Sequence, residues 1–275
     1  MNNNTTDFRD LVDFVNESSN DNKFKRRRRK RAVLFAMNLV AISSLILGGY
    51  GIKSILDQKR DYEEALEKQK IKKIPVTEIV LHDDKREEIV SNYSLEEYVN
   101  KNSDTVGWLK VPGTDIDISV VQAKDNDYYL THDFDKKWNS MGWVFADYRD
   151  KFPELSQNTI LYGHTYRDTI MFSSLKNVLK DEWMDNPDNF VITFNTVNHE
   201  YKWQIFSIYT IDVTSDYLRV NFNNSELVDF TDMLKERSVK DFGVLIFPKD
   251  KILTLSTCYG SSARRLVVHA KLIEK

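Results

Sequence analysis

Along "IDISVV" the apolar positions Ile116, Ile118 and Val120 alternate with polar ones, the two-residue period of a strand with one face in a core. Stretches of similar texture recur through the rest of the chain. They are "GWLKV" at 107 to 111, "GWVFA" at 142 to 146, "NTILYG" at 158 to 163 and "NFVITF" at 189 to 194, followed by "YKWQIFSIYTI" at 201 to 211, "GVLIF" at 243 to 247, "ILTLST" at 252 to 257 and "RLVVHAKLI" at 265 to 273. A "PGTD" turn at 112 to 115 separates the first two strands, with glycine and proline supplying the turn geometry. Helical periodicity is rarer. Ser94 and Glu97 form a capping box ahead of Leu95, Tyr98 and Val99, predicting a short helix over about 95 to 103. Two helical insertions are expected around 172 to 184 and 225 to 237, the second with Leu227, Phe230 and Leu234 on one face. Many short strands with few helices predict a mainly β domain, a barrel or a sandwich.

The first quarter of the chain has a different pattern. Residues 32 to 52, "AVLFAMNLVAISSLILGGYGI", carry no charge, and as a helix they would span roughly 31 Å against a hydrocarbon core of about 30 Å. The run "KFKRRRRKR" at 23 to 31 precedes them directly, so the positive-inside rule keeps the N-terminus cytoplasmic and leaves the chain after about residue 53 outside. A cleaved signal peptide would have a shorter apolar region and a small-residue cleavage site. A nuclear or nucleic-acid tag does not usually abut a membrane-length apolar run. After the span, residues 53 to 73 read as a charged helical stalk, with Ile55, Tyr62 and Leu66 at near-helical spacing, Glu64 four ahead of Lys68, and Pro75 ending it. The expected organisation is therefore a cytoplasmic tail at 1 to 31, a transmembrane signal-anchor helix at 32 to 52, a stalk at 53 to 74 and an extracytoplasmic domain at 75 to 275.

Composition narrows this further. The chain has 275 residues, of which 41% are hydrophobic and 12% aromatic, enough for a sizeable core and unlike a disordered protein. The formal net charge of −3 conceals a tail of −4 before the +8 basic run, and −7 over residues 53 to 275. An acidic main domain gives no electrostatic footprint for nucleic acid. It has neither HExxH nor CxxC, and no carboxylate-rich loop, so no metal or cofactor is expected.

The single cysteine, Cys258, cannot form an internal disulfide. In an exported domain it is either a small buried hydrophobe or a retained reactive thiol. Its position favours chemistry. "ILTLST" carries Cys258 at its end, "YGSSA" is a compact loop, and "RLVVHAKLI" follows, so an antiparallel hairpin would bring Cys258 beside Arg265. A nearby cation favours the nucleophilic thiolate, and a guanidinium fork suits a substrate carbonyl or a developing oxyanion. Arg264 competes for that role; strand alternation groups Arg265 with Val267, His269 and Lys271, opposite Leu266, Val268, Ala270 and Leu272. Of the five histidines, His82 and His199 lie among charged residues, His132 in "YYLTHDFD" could order a loop, and His269 belongs to an alternating strand. His164 follows Tyr162 and Gly163 where "TILYG" leaves the sheet, a place from which an imidazole is displayed.

These residues together carry a family resemblance over about 95 to 273. "TLSTC" followed shortly by arginine and "LVVHAKL" resembles the catalytic strand pair of the sortases, the cysteine transpeptidases of Gram-positive cell surfaces. "NTILYGHTYRDTIMFSSLKN" resembles their histidine segment, while "VGWLKVPGTDIDISVVQAKDNDYYLTHDF" and "GWVFADYRD" resemble class B members. The resemblance implies a closed sortase-type β-barrel of about eight strands with peripheral helices, an extra helix near 225 to 237, and a thioacyl mechanism. By that resemblance Cys258 is the nucleophile, His164 the catalytic histidine and Arg265 the catalytic arginine, with Tyr162 and Ser256 lining the groove. It also implies the partners: surface proteins bearing a sorting signal, an amine acceptor that is either a cell-wall precursor or a pilin lysine, and the membrane. The Cys258 to Arg265 loop is short for class B, which keeps Arg264 in contention. Two other readings stand beside it, an exported cysteine peptidase of wall peptides and a membrane-tethered binding domain with a structural cysteine.

Overall fold

The computed structural model describes residues 8–70, 95–166, 170–197, 199–223 and 226–274. The chain divides into two compact units, residues 1–59 and 60–275. The first unit holds most of α1 (Phe8–Gln69). The expected span at 32 to 52 falls within this helix, and several of its side chains lie outside the described residues. Among the described residues no helix is long and apolar enough to cross a membrane. Pro75 and the capping-box Ser94 also lie outside the described residues.

The second unit is a closed eight-stranded barrel with peripheral helices. Its strands are β1 (Thr105–Lys110), β2 (Asp117–Val121), β3 (Phe145–Ala146), β4 (Asn158–Tyr162), β5 (Val191–Thr196), β6 (Lys202–Asp212), β7 (Ile252–Tyr259) and β8 (Ser261–Glu274), in the spatial order β1-β2-β3-β4-β7-β8-β6-β5. The long β6, β7 and β8 are antiparallel neighbours, whereas β4 runs parallel to β7, with Tyr162 beside Ser256. Leu253, Leu255, Leu266, Val268 and Ala270 point into the barrel and join Leu109, Ile118, Val120, Leu161 and Phe194 in its core. The opposite face of β7 and β8 is covered too. There Ile252 and Val267 pack with Phe206, Tyr209 and Tyr217 beneath Leu227, Phe230 and Leu234 of helix α4 (Glu226–Glu236). Two helices between these elements are short, α2 (Glu96–Lys101) and α3 (Asp181–Met184).

The structure departs from the sequence reading in two strands. "GVLIF" at 243 to 247 forms no strand: Ile246 sinks into the second core and the half-buried Val244 packs against it, while Leu245 and Phe247 are exposed. Its backbone groups bond to side chains, Phe247 N to Asp250 Oδ2 and Leu245 O to Lys271 Nζ, so no ladder is needed. "GWVFA" keeps only Phe145–Ala146 as strand, because Gly142, at φ +61°, turns the chain before it. The insertion expected at 172 to 184 is a 3₁₀ helix over Ser173–Leu179 followed by α3.

Candidate active site

Three elements end at one cleft. The β7–β8 hairpin turns at Gly260 alone, with φ +68°, and Tyr259 faces Ser261 across it. Past a register shift in β8, Cys258 stands opposite Arg265, so the two residues are cross-strand neighbours. The parallel β4–β7 pairing ends with Tyr162 beside Ser256, and His164 follows two residues later, between Gly163 and Thr165. Thr257 lashes the two chain ends together: its hydroxyl donates to Gly163 O at 2.6 Å and accepts from Thr165 Oγ1 at 2.6 Å. The cleft itself has a volume of about 740 Å³ and is lined by Thr165, Tyr166, Thr257, Cys258, Tyr259 and Leu266 among others.

Cys258 is half-buried and unpaired by any disulfide. The half-buried His164 has its Nε2 3.0 Å from Leu130 O. A carbonyl only accepts, so Nε2 carries the proton and Nδ1 is the nitrogen able to take another. Burial lowers the His164 pKa below its ordinary 6.5, and the bond to Leu130 opposes that only in part; the imidazole is therefore neutral at pH 7. Arg264 and Arg265 are separated by strand alternation. The Arg264 guanidinium reaches across to β6, donating to Thr210 Oγ1 at 2.8 Å and pairing with Asp212 at 3.8 Å. Arg265 stays on the Cys258 side, where its Nη1 donates to Ser262 O at 2.7 Å and Arg264 O at 3.1 Å. Tyr217 feels both Arg265 and Cys258, although burial is the larger cause of its raised pKa.

Of the five residues singled out from the sequence, Cys258 is among those that line this cleft, and His164, Arg265, Tyr162 and Ser256 are not. The Tyr162 hydroxyl donates to Asp147 Oδ2 at 2.9 Å, alongside the Arg149 fork on the same carboxylate. Ser256 is buried and bonds the Tyr217 hydroxyl at 3.0 Å. His132 stacks on Tyr128 with ring centroids 4.1 Å apart and orders its loop, and His199 stacks on Tyr201. His269 is fully buried away from the cleft. A hydroxyl has one proton to give, and Thr254 donates its own to Asn158 Oδ1 at 2.7 Å. It follows that His269 Nδ1–H donates to Thr254 at 2.9 Å and that Nε2 accepts from Tyr209 at 2.9 Å.

Sequence reasoning missed Leu130, which contributes a backbone carbonyl and leaves no side-chain signal. The neighbouring signal was Gly142. A Cβ there would lie 2.4 Å from Tyr129 O and 2.8 Å from Leu130 O, at φ +61°. Gly142→Ala is expected to cost about 1–3 kcal/mol in backbone conformation alone, and to displace the carbonyl that orients His164. Thermal melting together with the rate of acyl-adduct formation checks this; an unchanged melting temperature and rate would refute it.

A sortase-domain family model matches residues 109–273. Sortase B of Staphylococcus aureus is 32% identical over 254 residues, covering 90% of this chain and 99% of that protein. Sortase B of Listeria monocytogenes is 35% identical over 187 residues, 66% of this chain and 74% of that protein. Among solved structures, Clostridium perfringens sortase B superposes with a TM-score of 0.62 at 31% identity, covering 66% of this chain and all of that one. The chain belongs to the sortase family and, within it, to the sortase B type. It is a cysteine transpeptidase acting on surface proteins that carry a sorting signal.

Proposed function

We propose that Cys258 is the nucleophile, His164 the proton shuttle and Arg265 the substrate-holding cation, with the catalytic domain displayed outside a membrane into which residues 32 to 52 are anchored. The observation that supports this is the cross-strand pairing of Cys258 with Arg265, next to Thr257, whose hydroxyl bonds the two residues that flank His164. Neutral His164 takes the Cys258 proton at Nδ1, and the thiolate attacks the scissile carbonyl of the sorting signal, a carbonyl after threonine by analogy with the family. The carbon–nitrogen bond breaks as His164 returns that proton to the leaving amine, and a thioester remains. An incoming amine attacks the thioester and gives its proton to His164; the new amide forms as the thiolate departs. Arg265 leaves its hairpin carbonyls to hold the signal's backbone and the oxyanion. Tyr162 and Ser256 shape the groove from beneath, through Asp147 and Tyr217. The uncharged stretch at 32 to 52, preceded by "KFKRRRRKR", supports a cytoplasmic N-terminus.

A solved sortase B that is 36% identical to this chain is complexed with triglycine, which favours the free amine of a cell-wall precursor over a pilin lysine as acceptor. The test is mass spectrometry of the full chain incubated with a sorting-signal peptide library. An acyl adduct on Cys258, absent in Cys258→Ala and released faster by triglycine than by a lysine amine, is the expected result. Arg265→Ala is expected to slow adduct formation by about 10²–10³, and Arg264→Ala by no more than about twofold, since its guanidinium points to β6. Equal effects of the two arginine substitutions, or an adduct elsewhere, would refute the assignment.

A further inference from the structure

The last three turns of α1 belong to the barrel unit, and two of their polar side chains reach segments that carry the cleft. Asp61, only 3% exposed, accepts from Ser140 Oγ at 2.9 Å and from Ser140 N at 3.3 Å on the same oxygen, Oδ2. Its backbone carbonyl accepts from Asn139 Nδ2 at 3.0 Å. The carbonyl of Ser140 in turn accepts from the Tyr166 hydroxyl at 2.5 Å. Tyr166 lines the cleft with Cys258, and its ring stands edge-on to His164, with centroids 5.7 Å apart and planes at 61°. Eight residues on from Asp61, Gln69 Oε1 accepts from Met171 N at 2.9 Å, next to Phe172, whose N–H holds His164 O at 3.0 Å. The helix is fixed in place between these contacts by buried Ala65 and by Lys68, which pairs with Asp133 at 2.5 Å and Asp135 at 2.7 Å.

We infer that the segment Arg60–Lys70 is a positioning element of the active site, in which Asp61 sets Tyr166, and through it the His164 ring, by way of Ser140. The inference rests on the reading of Cys258 and His164 as the reacting groups. The relay is directional. The one phenolic proton of Tyr166 goes to Ser140 O, so the oxygen can only accept from the cleft side. The Tyr166 phenol titrates above its ordinary value, first through burial and then through the negative charges of Cys258 and Asp61, so one side chain senses both ends of the chain of contacts. Asp61 touches no reacting atom, and its effect lies in orientation, where a small misplacement of a proton shuttle slows chemistry without loosening substrate. The catalytic machinery of this protein therefore begins at residue 60, within the segment that leads out of the apolar run.

The experiment is a double-mutant cycle on the full chain in detergent micelles, using Asp61→Ala, Tyr166→Phe and the pair. Turnover is read with a sorting-signal peptide on which the wild type is active and triglycine as acceptor, beside thermal melting. Each single variant is expected to lower kcat about tenfold with KM within twofold, and the pair to lose no more than either alone, the signature of one pathway. Asp61→Asn keeps an acceptor oxygen for Ser140 and is expected to restore kcat to within twofold of wild type. If Asp61→Ala does not accumulate as folded protein, Ser140→Ala, which removes the same Oγ–H bond, replaces it in the cycle. A normal kcat in Asp61→Ala or Ser140→Ala would overturn the relay, as would losses that multiply in the pair or a failure of Asp61→Asn to rescue. Absence of turnover and of a Cys258 adduct in the wild type would overturn the underlying assignment as well, which separates the two failures.

Discussion

His164→Ala is expected to slow acyl-adduct formation on Cys258 by about 10²–10⁴, the range supplied by a positioned general acid–base, while leaving the melting temperature within a few degrees. The substitution removes a half-buried ring whose Nε2 is bonded to Leu130 O, so the structural loss is that of one neutral hydrogen bond, about 1 kcal/mol. The pH profile supplies a second signature. Burial pulls the His164 pKa below 6.5, so the neutral base survives to lower pH than an exposed imidazole would, and the acid limb of the wild-type rate is expected to fall below pH 6.5. Adduct formation followed from pH 4.5 to 8 tests both points. A limb above pH 6.5, or an alanine variant that acylates at the wild-type rate, would remove His164 from the role proposed for it.

The second large effect concerns stability and comes from His269. Its complete burial is the chief cause of a pKa of about 3, with the Arg237 charge adding to it, whereas the unfolded chain would protonate it near 6.5. A folded-state pKa below the unfolded one makes the unfolded form bind more protons as pH falls. Stability is therefore full above about pH 6.5 and is lost progressively as pH falls from there toward 3, by roughly 3–5 kcal/mol over the whole interval. His269→Gln retains a donor and an acceptor for Thr254 and Tyr209 but cannot titrate. The variant is expected to be about 1–3 kcal/mol less stable than the wild type at pH 7, through imperfect hydrogen bonds, and to show a flatter curve below pH 6.5. Denaturant unfolding at pH 7, 6, 5 and 4 measures the two slopes; parallel curves for both proteins would refute the assignment.

The two histidines show what the sequence alone could and could not establish. Both sit in alternating or strand-end patterns; the parallel pairing of β4 with β7 leaves one just past the strand end beside Thr257, while helix α4 covers the sheet face that carries the other. Strand identity was legible wherever apolar alternation coincided with a turn signal, as at "PGTD" and around "YGSSA". It failed at "GVLIF", whose alternation is real but whose backbone bonds to side chains instead of a neighbouring strand. Alternation reports burial of one face and is silent about the ladder.

Local chemistry along the chain determined a mainly β domain, the hairpin that pairs Cys258 with Arg265, and the position of His164 at a strand end, because each depends on residues close in sequence and on the two-residue period; closure of the barrel is a matter of long-range strand pairing. Long-range packing alone decided where the Arg264 guanidinium docks on β6, which backbone carbonyl bonds the His164 imidazole, and that Asp61 reaches Tyr166 through Ser140. Those contacts join residues far apart along the chain, some through main-chain atoms that every residue type possesses, so no residue identity could have announced them.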